Sequence, residues 1–184
     1  MKLITVLALS FLASSLSAKT KHNFLWVVDN SGSFQQIRKA TAESFEEFNR
    51  ILKQDGSLEY KMAVTTTDFF SQQGKLVSVE GKSIIQSTDA TAVKDFGALL
   101  TSIEDTMTSF WEQGLESSYG ALSGDAKPLV EKGVPLTIIY VTDENDYSCK
   151  DKCFGVEPES NPDWVSQPMS RYTSFFHKLT QEQY

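Results

Sequence analysis

Three apolar segments of the chain each lead directly to an aspartate. Each segment is rich in β-branched or aromatic side chains, which predicts a strand buried in a sheet. The first reads Phe-Leu-Trp-Val-Val and is far shorter than a membrane span. The segments are residues 24–28, 58–67 and 136–142, and the aspartates that follow them are Asp29, Asp68 and Asp143.

Helical periodicity separates these predicted strands. After the first strand, apolar or small residues recur every three or four positions, which places them on one face of a helix. Similar spacing predicts helices around residues 93–103, 111–122 and 172–179. Residues 75–86 instead predict a short hairpin or antiparallel edge strand. The apolar face of the first helix comprises Phe34, Ile37, Thr41, Phe45, Phe48 and Leu52.

The first strand runs into Asp29-Asn-Ser-Gly-Ser, where oxygen-bearing side chains alternate around a glycine. Strand, helix and strand in succession indicate a parallel crossover unit, and ligands of open α/β sheets bind where the carboxyl ends of the strands gather. Carboxylate and hydroxyl oxygens suit a hard divalent cation. The residues predict a cation site built on Asp29, Ser31 and Ser33. Asp68 is expected nearby, either as a further ligand or as a supporting or turn residue.

Composition narrows the classes of function. The 184 residues are enough for one domain, and 40% hydrophobic and 22% charged residues are typical of a globular protein. The formal net charge of −7 makes nucleic acid and anionic membrane surfaces poor partners.

The amino terminus predicts export. Residues 1–18 have a lysine start, an apolar stretch and a small-residue end, which is typical of a secretory signal peptide; a short membrane anchor is the alternative. We therefore expect a secreted, periplasmic or cell-surface protein whose mature chain has no membrane span. In an oxidising compartment, Cys149 and Cys153 are expected to form a disulfide. A zinc site is the alternative, but His22 and His177 are distant in sequence.

The ordered set of motifs resembles the bacterial, secreted form of the von Willebrand factor type A (VWA) domain, over residues 23–184. The matching motifs are Val-Val-Asp-Asn-Ser-Gly-Ser, Val-Thr-Thr-Thr-Asp, Trp-Glu-Gln-Gly-Leu-Glu and Tyr-Val-Thr-Asp-Glu-Asn-Asp. The resemblance implies a Rossmann-like, doubly wound α/β fold with a mostly parallel central sheet flanked by helices. The family has a further carboxyl-terminal strand that this chain lacks, so a fragment, a truncated product or a shortened fold is expected.

The resemblance also implies a metal-ion-dependent adhesion site (MIDAS). Its ligands would be Asp29, Ser31, Ser33, Ser109 and Asp143, with Thr108 the alternative to Ser109 because the family usually has threonine there. Mg²⁺ is the expected ion, and Ca²⁺ or Mn²⁺ would also suit oxygen ligands. An open coordination position would capture an Asp or Glu carboxylate of a protein partner.

Two other functions compete with this non-enzymatic, adhesive role. One is a metal-dependent hydrolase or phosphatase that uses Asp29 or Ser31. The sequence has no Gly-x-Ser-x-Gly elbow, phosphate loop or zinc-protease motif, and neither histidine is an obvious base for a triad. The other is a structural spacer whose metal site is vestigial.

Overall fold

A computed structural model describes residues 20–54, 58–105, 111–149 and 167–183. The central element is a four-stranded sheet that is parallel except at one edge. Two further short strands, β1 and β3, pair in parallel beside it. In chain order the strands are β1 (Thr20–Lys21), β2 (Asn23–Val28), β3 (Leu58–Glu59), β4 (Lys61–Thr66), β5 (Ile84–Gln86) and β6 (Leu136–Val141).

The sheet has the order β5-β4-β2-β6, so β2 lies inside it. Its neighbours β4 and β6 are both parallel to it, as the crossover pattern predicts. β5 is a short antiparallel strand on β4, which confirms the predicted edge strand. Before it, Val79 and Lys82 form a two-residue hairpin around Glu80 and Gly81, both of which have positive φ.

Helices cover both faces of the sheet because apolar side chains alternate along β2. Its even-numbered residues pack with α1 and α3 and its odd-numbered residues with α4 and α5, giving three layers. The chain is therefore a mixed α/β protein with a mostly parallel sheet. The helices are α1 (Gln35–Leu52), α2 (Phe69–Gln72), α3 (Ala92–Thr101), α4 (Gly114–Ser123) and α5 (Met169–Gln183), with 3-10 turns at Gly32–Phe34 and Lys127–Leu129.

The predicted inner face of α1 is partly wrong. Phe34 and Phe45 are buried, but Ile37 is 42% exposed and its neighbour Arg38 is buried. Ile37 and Arg38 lie three and four residues after Phe34, so both positions fit helical spacing counted from Phe34. Counted back from Phe45, two helical turns lead to Arg38.

Two other predicted elements also differ. β6 is half-buried or exposed along its length, not fully buried, because among the described strands it pairs only with β2. α4 begins at Gly114, and most of its buried residues are small or polar, such as Glu116, Ser117 and Ala121; of the apolar face predicted for this helix, Leu122 is buried. By contrast, α5 packs as predicted, with Tyr172 fully buried.

Some predicted features lie outside the described residues. They are the signal peptide at residues 1–18, the candidate ligands Thr108 and Ser109, and Cys153, so the disulfide with Cys149 remains a prediction. Within the ranges that are described, none of the helices is both long and apolar enough to span a bilayer.

Candidate functional site

The carboxyl ends of three strands meet at one edge of the sheet. Val28 of β2 is in register with Thr66 of β4 and with Val141 of β6. Hydrogen bonds continue past the strand ends, because the Asp29 amide donates to the Val141 carbonyl at 3.0 Å and the Thr67 amide donates to the Val28 carbonyl at 3.1 Å. The aspartates predicted at the strand ends therefore all belong to the same edge.

Asp29 is fully buried, and both its carboxylate oxygens accept hydrogen bonds. Oδ1 accepts from the Ser31 amide at 2.7 Å, the two-residue Asx turn that aspartate favours after a strand. Oδ2 accepts from the Thr142 hydroxyl, just beyond β6, at 3.2 Å. The carboxylate is thus held between the β2 and β6 loops.

The Ser31 and Ser33 hydroxyl oxygens are 3.1 Å apart, and both lie at least partly in solvent. In an octahedral site with metal–oxygen distances of about 2.1 Å, two adjacent ligands are about 3.0 Å apart. The two hydroxyls therefore fit neighbouring positions around Mg²⁺ without rearrangement.

Arg38 stabilises the loop at residues 29–33 from its buried side, a role that the sequence pattern did not predict. Its guanidinium donates to the carbonyl oxygens of Asp29 and Ser31, each at 2.9 Å, and forms an ion pair with Asp105. Arginine can do this because its donors form a rigid planar fork. The sequence signal for Arg38 is its spacing: it lies four residues after Phe34 and seven before Phe45, which places it on the buried face of α1.

The loop after β6 adds further acids to the edge. Asp143 is exposed two residues beyond the end of β6, on the same edge as Asp29, but its role as a ligand remains a prediction. Burial, followed by the charges of Asp29 and Asp143, raises the pKa of its neighbour Glu144. The Glu144 amide donates to the Thr142 hydroxyl at 3.1 Å, so this loop is linked to Asp29 through one side chain.

Asp68 lies at the same edge as the N-cap of α2. It is fully buried, and its Oδ1 accepts a hydrogen bond from the Ser71 amide at 2.9 Å. This matches the predicted turn role, while direct metal ligation by Asp68 stays a prediction. Its negative charge also makes the electrostatic potential at this edge more negative, and it helps to raise the pKa of Glu112.

Glu112 is the most strongly perturbed acid at this edge, and sequence analysis gave it no role. Burial raises its pKa to about 8, and the charges of Asp29 and Glu144 and hydrogen bonding with Asp29 add to the increase. The side chain is 4% exposed. A cation binds most favourably beside a buried acid that has other acids close by, because its charge offsets theirs.

The donor set of the edge combines few carboxylates with several hydroxyls. Within the described ranges, no group of three or more histidine, cysteine, aspartate or glutamate side chains is placed to hold a metal ion. The predicted site relies instead on hydroxyl groups, on the carboxylates of Asp29 and Asp143 and on water, and Mg²⁺ in proteins commonly keeps several waters and takes one or two carboxylates. The residues present are chemically suited to such an ion.

Comparisons with known proteins yield a structural similarity. No protein-family model and no curated protein sequence matches the chain. A solved structure of the pilus adhesin SpaC from Lactobacillus rhamnosus GG, in an open conformation, superposes over 90% of this chain with a TM-score of 0.50 and 13% sequence identity. The matched region is 23% of that adhesin's chain. At this identity the similarity concerns the fold.

Proposed function

We propose that this chain is an exported VWA-type domain that binds a divalent cation at a MIDAS and uses it to capture an acidic residue of a protein partner. The ligands would be Asp29, Ser31, Ser33, Asp143 and Ser109, with Thr108 as the alternative to Ser109. The observation that carries the proposal is the pair of serine hydroxyls 3.1 Å apart beside the buried Asp29 carboxylate.

The chemistry of this set favours capture of an acid. Serine hydroxyls are neutral, so the ion keeps much of its positive charge and attracts a carboxylate. Ser33 is exposed at the rim, which leaves an approach from solvent. The structural neighbour is a pilus adhesin, and a role for this chain in protein binding at or beyond the cell surface fits that similarity.

The positions of the histidines support binding rather than hydrolysis. His22 precedes β2, whereas Asp29 follows it, so the two lie at opposite ends of a six-residue strand. His22 bonds to the Thr137 hydroxyl at 2.7 Å, and His177 bonds to Gln181 within α5 at 2.9 Å. His22 is therefore out of reach of Ser31 as a general base, and the hydrogen-bond partner of His177 lies within its own helix.

Metal-dependent stabilisation tests the cation site. Mg²⁺ should raise the melting temperature of the purified protein because it binds the folded state preferentially. Asp29→Ala should abolish the increase, whereas Asp125→Ala, which removes an exposed acid beyond α4, should retain it. An Asp29→Ala protein that responds to Mg²⁺ as fully as the parent would show that the ligand assignment is wrong.

A second measurement addresses the partner. Envelope or host proteins would be captured on the immobilised chain with Mg²⁺ or with a chelator. Partners retained only with Mg²⁺ and lost with Asp29→Ala would support acid capture. Turnover of esterase or phosphatase substrates that requires Asp29 or Ser31 would instead favour an enzyme.

A further inference from the structure

The peptide group that joins Glu112 to Gln113 is held by two hydrogen bonds, one through its amide and one through its carbonyl. The amide of the next residue, Gln113, donates to the Thr67 carbonyl at 2.9 Å, and the Tyr147 amide donates to the Glu112 carbonyl at 2.6 Å. Thr67 is itself bonded to the last residue of β2. Glu112 is therefore held against the ends of β4 and β2 and against the loop after β6.

This anchoring directs a carboxyl group into the edge where Asp29 lies. The Glu112 and Asp29 side chains are both buried and interact through hydrogen bonding. Among the described residues, the Oε2 atom of Glu112 has no hydrogen-bond partner, although it is inaccessible to solvent. Burying a carboxyl oxygen without a hydrogen-bond partner costs free energy, and a ligand bound to that oxygen would offset this cost.

A second orphaned oxygen lies at the same edge. The Thr67 hydroxyl is buried and has no hydrogen-bond partner in the described part of the chain. The Thr67 backbone is hydrogen-bonded both to Val28, at the end of β2, and to Gln113, the residue after Glu112. Buried polar atoms nearly always have partners, so orphaned oxygens on adjoining segments leave a place for a bound ion or for water.

We propose that Glu112 coordinates the divalent cation directly, through the oxygen that lacks a partner, and is the ligand contributed by the segment that precedes α4. This inference rests on the proposed function and gives Glu112 the role that the family resemblance implies for Ser109. Asp29 and Glu112 would then each offer a carboxylate oxygen to the ion, while Ser31 and Ser33 add neutral oxygens. The cation in turn removes the repulsion between the two buried acids.

Calorimetric titration with MgCl₂, and with MnCl₂ as a second ion, tests this assignment. Glu112→Gln keeps the shape of the side chain and removes its charge, and it should weaken binding at least about tenfold, the loss that follows even when a residue supporting a metal ligand is removed. Glu104→Gln removes an equal charge from an exposed residue after α3 and should bind like the parent. Ser109→Ala should also bind nearly as tightly as the parent.

The outcomes separate this inference from the proposed function. Parent-like binding by Glu112→Gln, together with loss of binding by Ser109→Ala, would overturn the role of Glu112 and leave the MIDAS proposal standing. No binding by the parent would overturn both. If circular dichroism shows that Glu112→Gln does not fold, the variant Glu112→Asp replaces it in the test. The aspartate side chain is one methylene shorter, so its carboxylate would not reach the ion as well. Weaker affinity would then support the inference, and parent-like affinity would overturn it.

Discussion

Arg38 donates a 2.9 Å hydrogen bond to the backbone carbonyl of Asp29 from a guanidinium that is only 3% exposed. The same nitrogen donates to the Ser31 carbonyl, so one buried cation fixes the turn that presents the candidate ligands. Buried charges are tolerated when hydrogen bonds and a counter-ion satisfy them, and Asp105 supplies the counter-ion here. The conformation of this loop therefore depends on a residue that does not itself face the site.

Arg38→Met should lower both stability and cation affinity. Two buried carbonyls would lose their donor and Asp105 its partner, so we expect the free energy of unfolding to fall by about 2–4 kcal/mol. Chemical denaturation measures this, with the exposed neighbour Lys39→Met as the matched control. Equal stabilities for the two variants would show that Arg38 does not support the loop.

Glu112 should make the metal-free protein less stable as pH rises. Its pKa is about 8 in the folded chain and about 4.5 in the unfolded chain, so between those values the folded state retains a proton that the unfolded state releases. This contribution is fully present below pH 4.5 and is lost as pH rises through 8. The loss should be on the order of 2–4 kcal/mol.

Denaturation across this pH range with a chelator present measures the effect. In Glu112→Gln the pH dependence should be much smaller, because glutamine does not titrate. Glu104→Gln should retain the parent's dependence. If Glu112→Gln loses stability with pH as steeply as the parent, the titration belongs to another group.

Gly120→Ala should destabilise the protein even though alanine favours helices. A Cβ at Gly120 would lie 2.8 Å from the Gln73 carbonyl oxygen and 3.0 Å from the Phe69 ring, so α4 or the turn after α2 must shift. We expect a loss of about 1–3 kcal/mol in thermal or chemical unfolding. In Gly97→Ala, where a Cβ has nothing within 4 Å, helix propensity should instead add up to about 1 kcal/mol. Stabilisation by both changes would contradict this close packing.

The sequence predicts the strands and their edge well because local patterns determine them. The aromatic and β-branched run at residues 24–28 forms β2, and the segments that lead to Asp68 and Asp143 contribute its parallel neighbours. The Asx turn from Asp29 to Ser31 is also local, spanning two residues. These features require no knowledge of distant contacts.

The role of Glu112 was not predictable in the same way. Its burial depends on Thr67 and Tyr147, which are distant in sequence, and glutamate at a helix entry is usually solvated. Arg38 was missed for a different reason, since Ile37 fits the helical spacing from Phe34 as well as Arg38 does and arginine is rarely buried. Position 109, implied by resemblance alone, lies outside the described residues.

The alternation of β2 constrains how the length of the chain can change. Phe24 and Trp26 face one layer of helices, and Leu25 and Val27 face the other. One residue inserted within the strand would reverse the side on which every later side chain points, so aromatic rings shaped for one layer would meet the other. Insertions should therefore be tolerated in the hairpin around Gly81 but not between residues 23 and 28, where they would also turn Asp29 away from its partners.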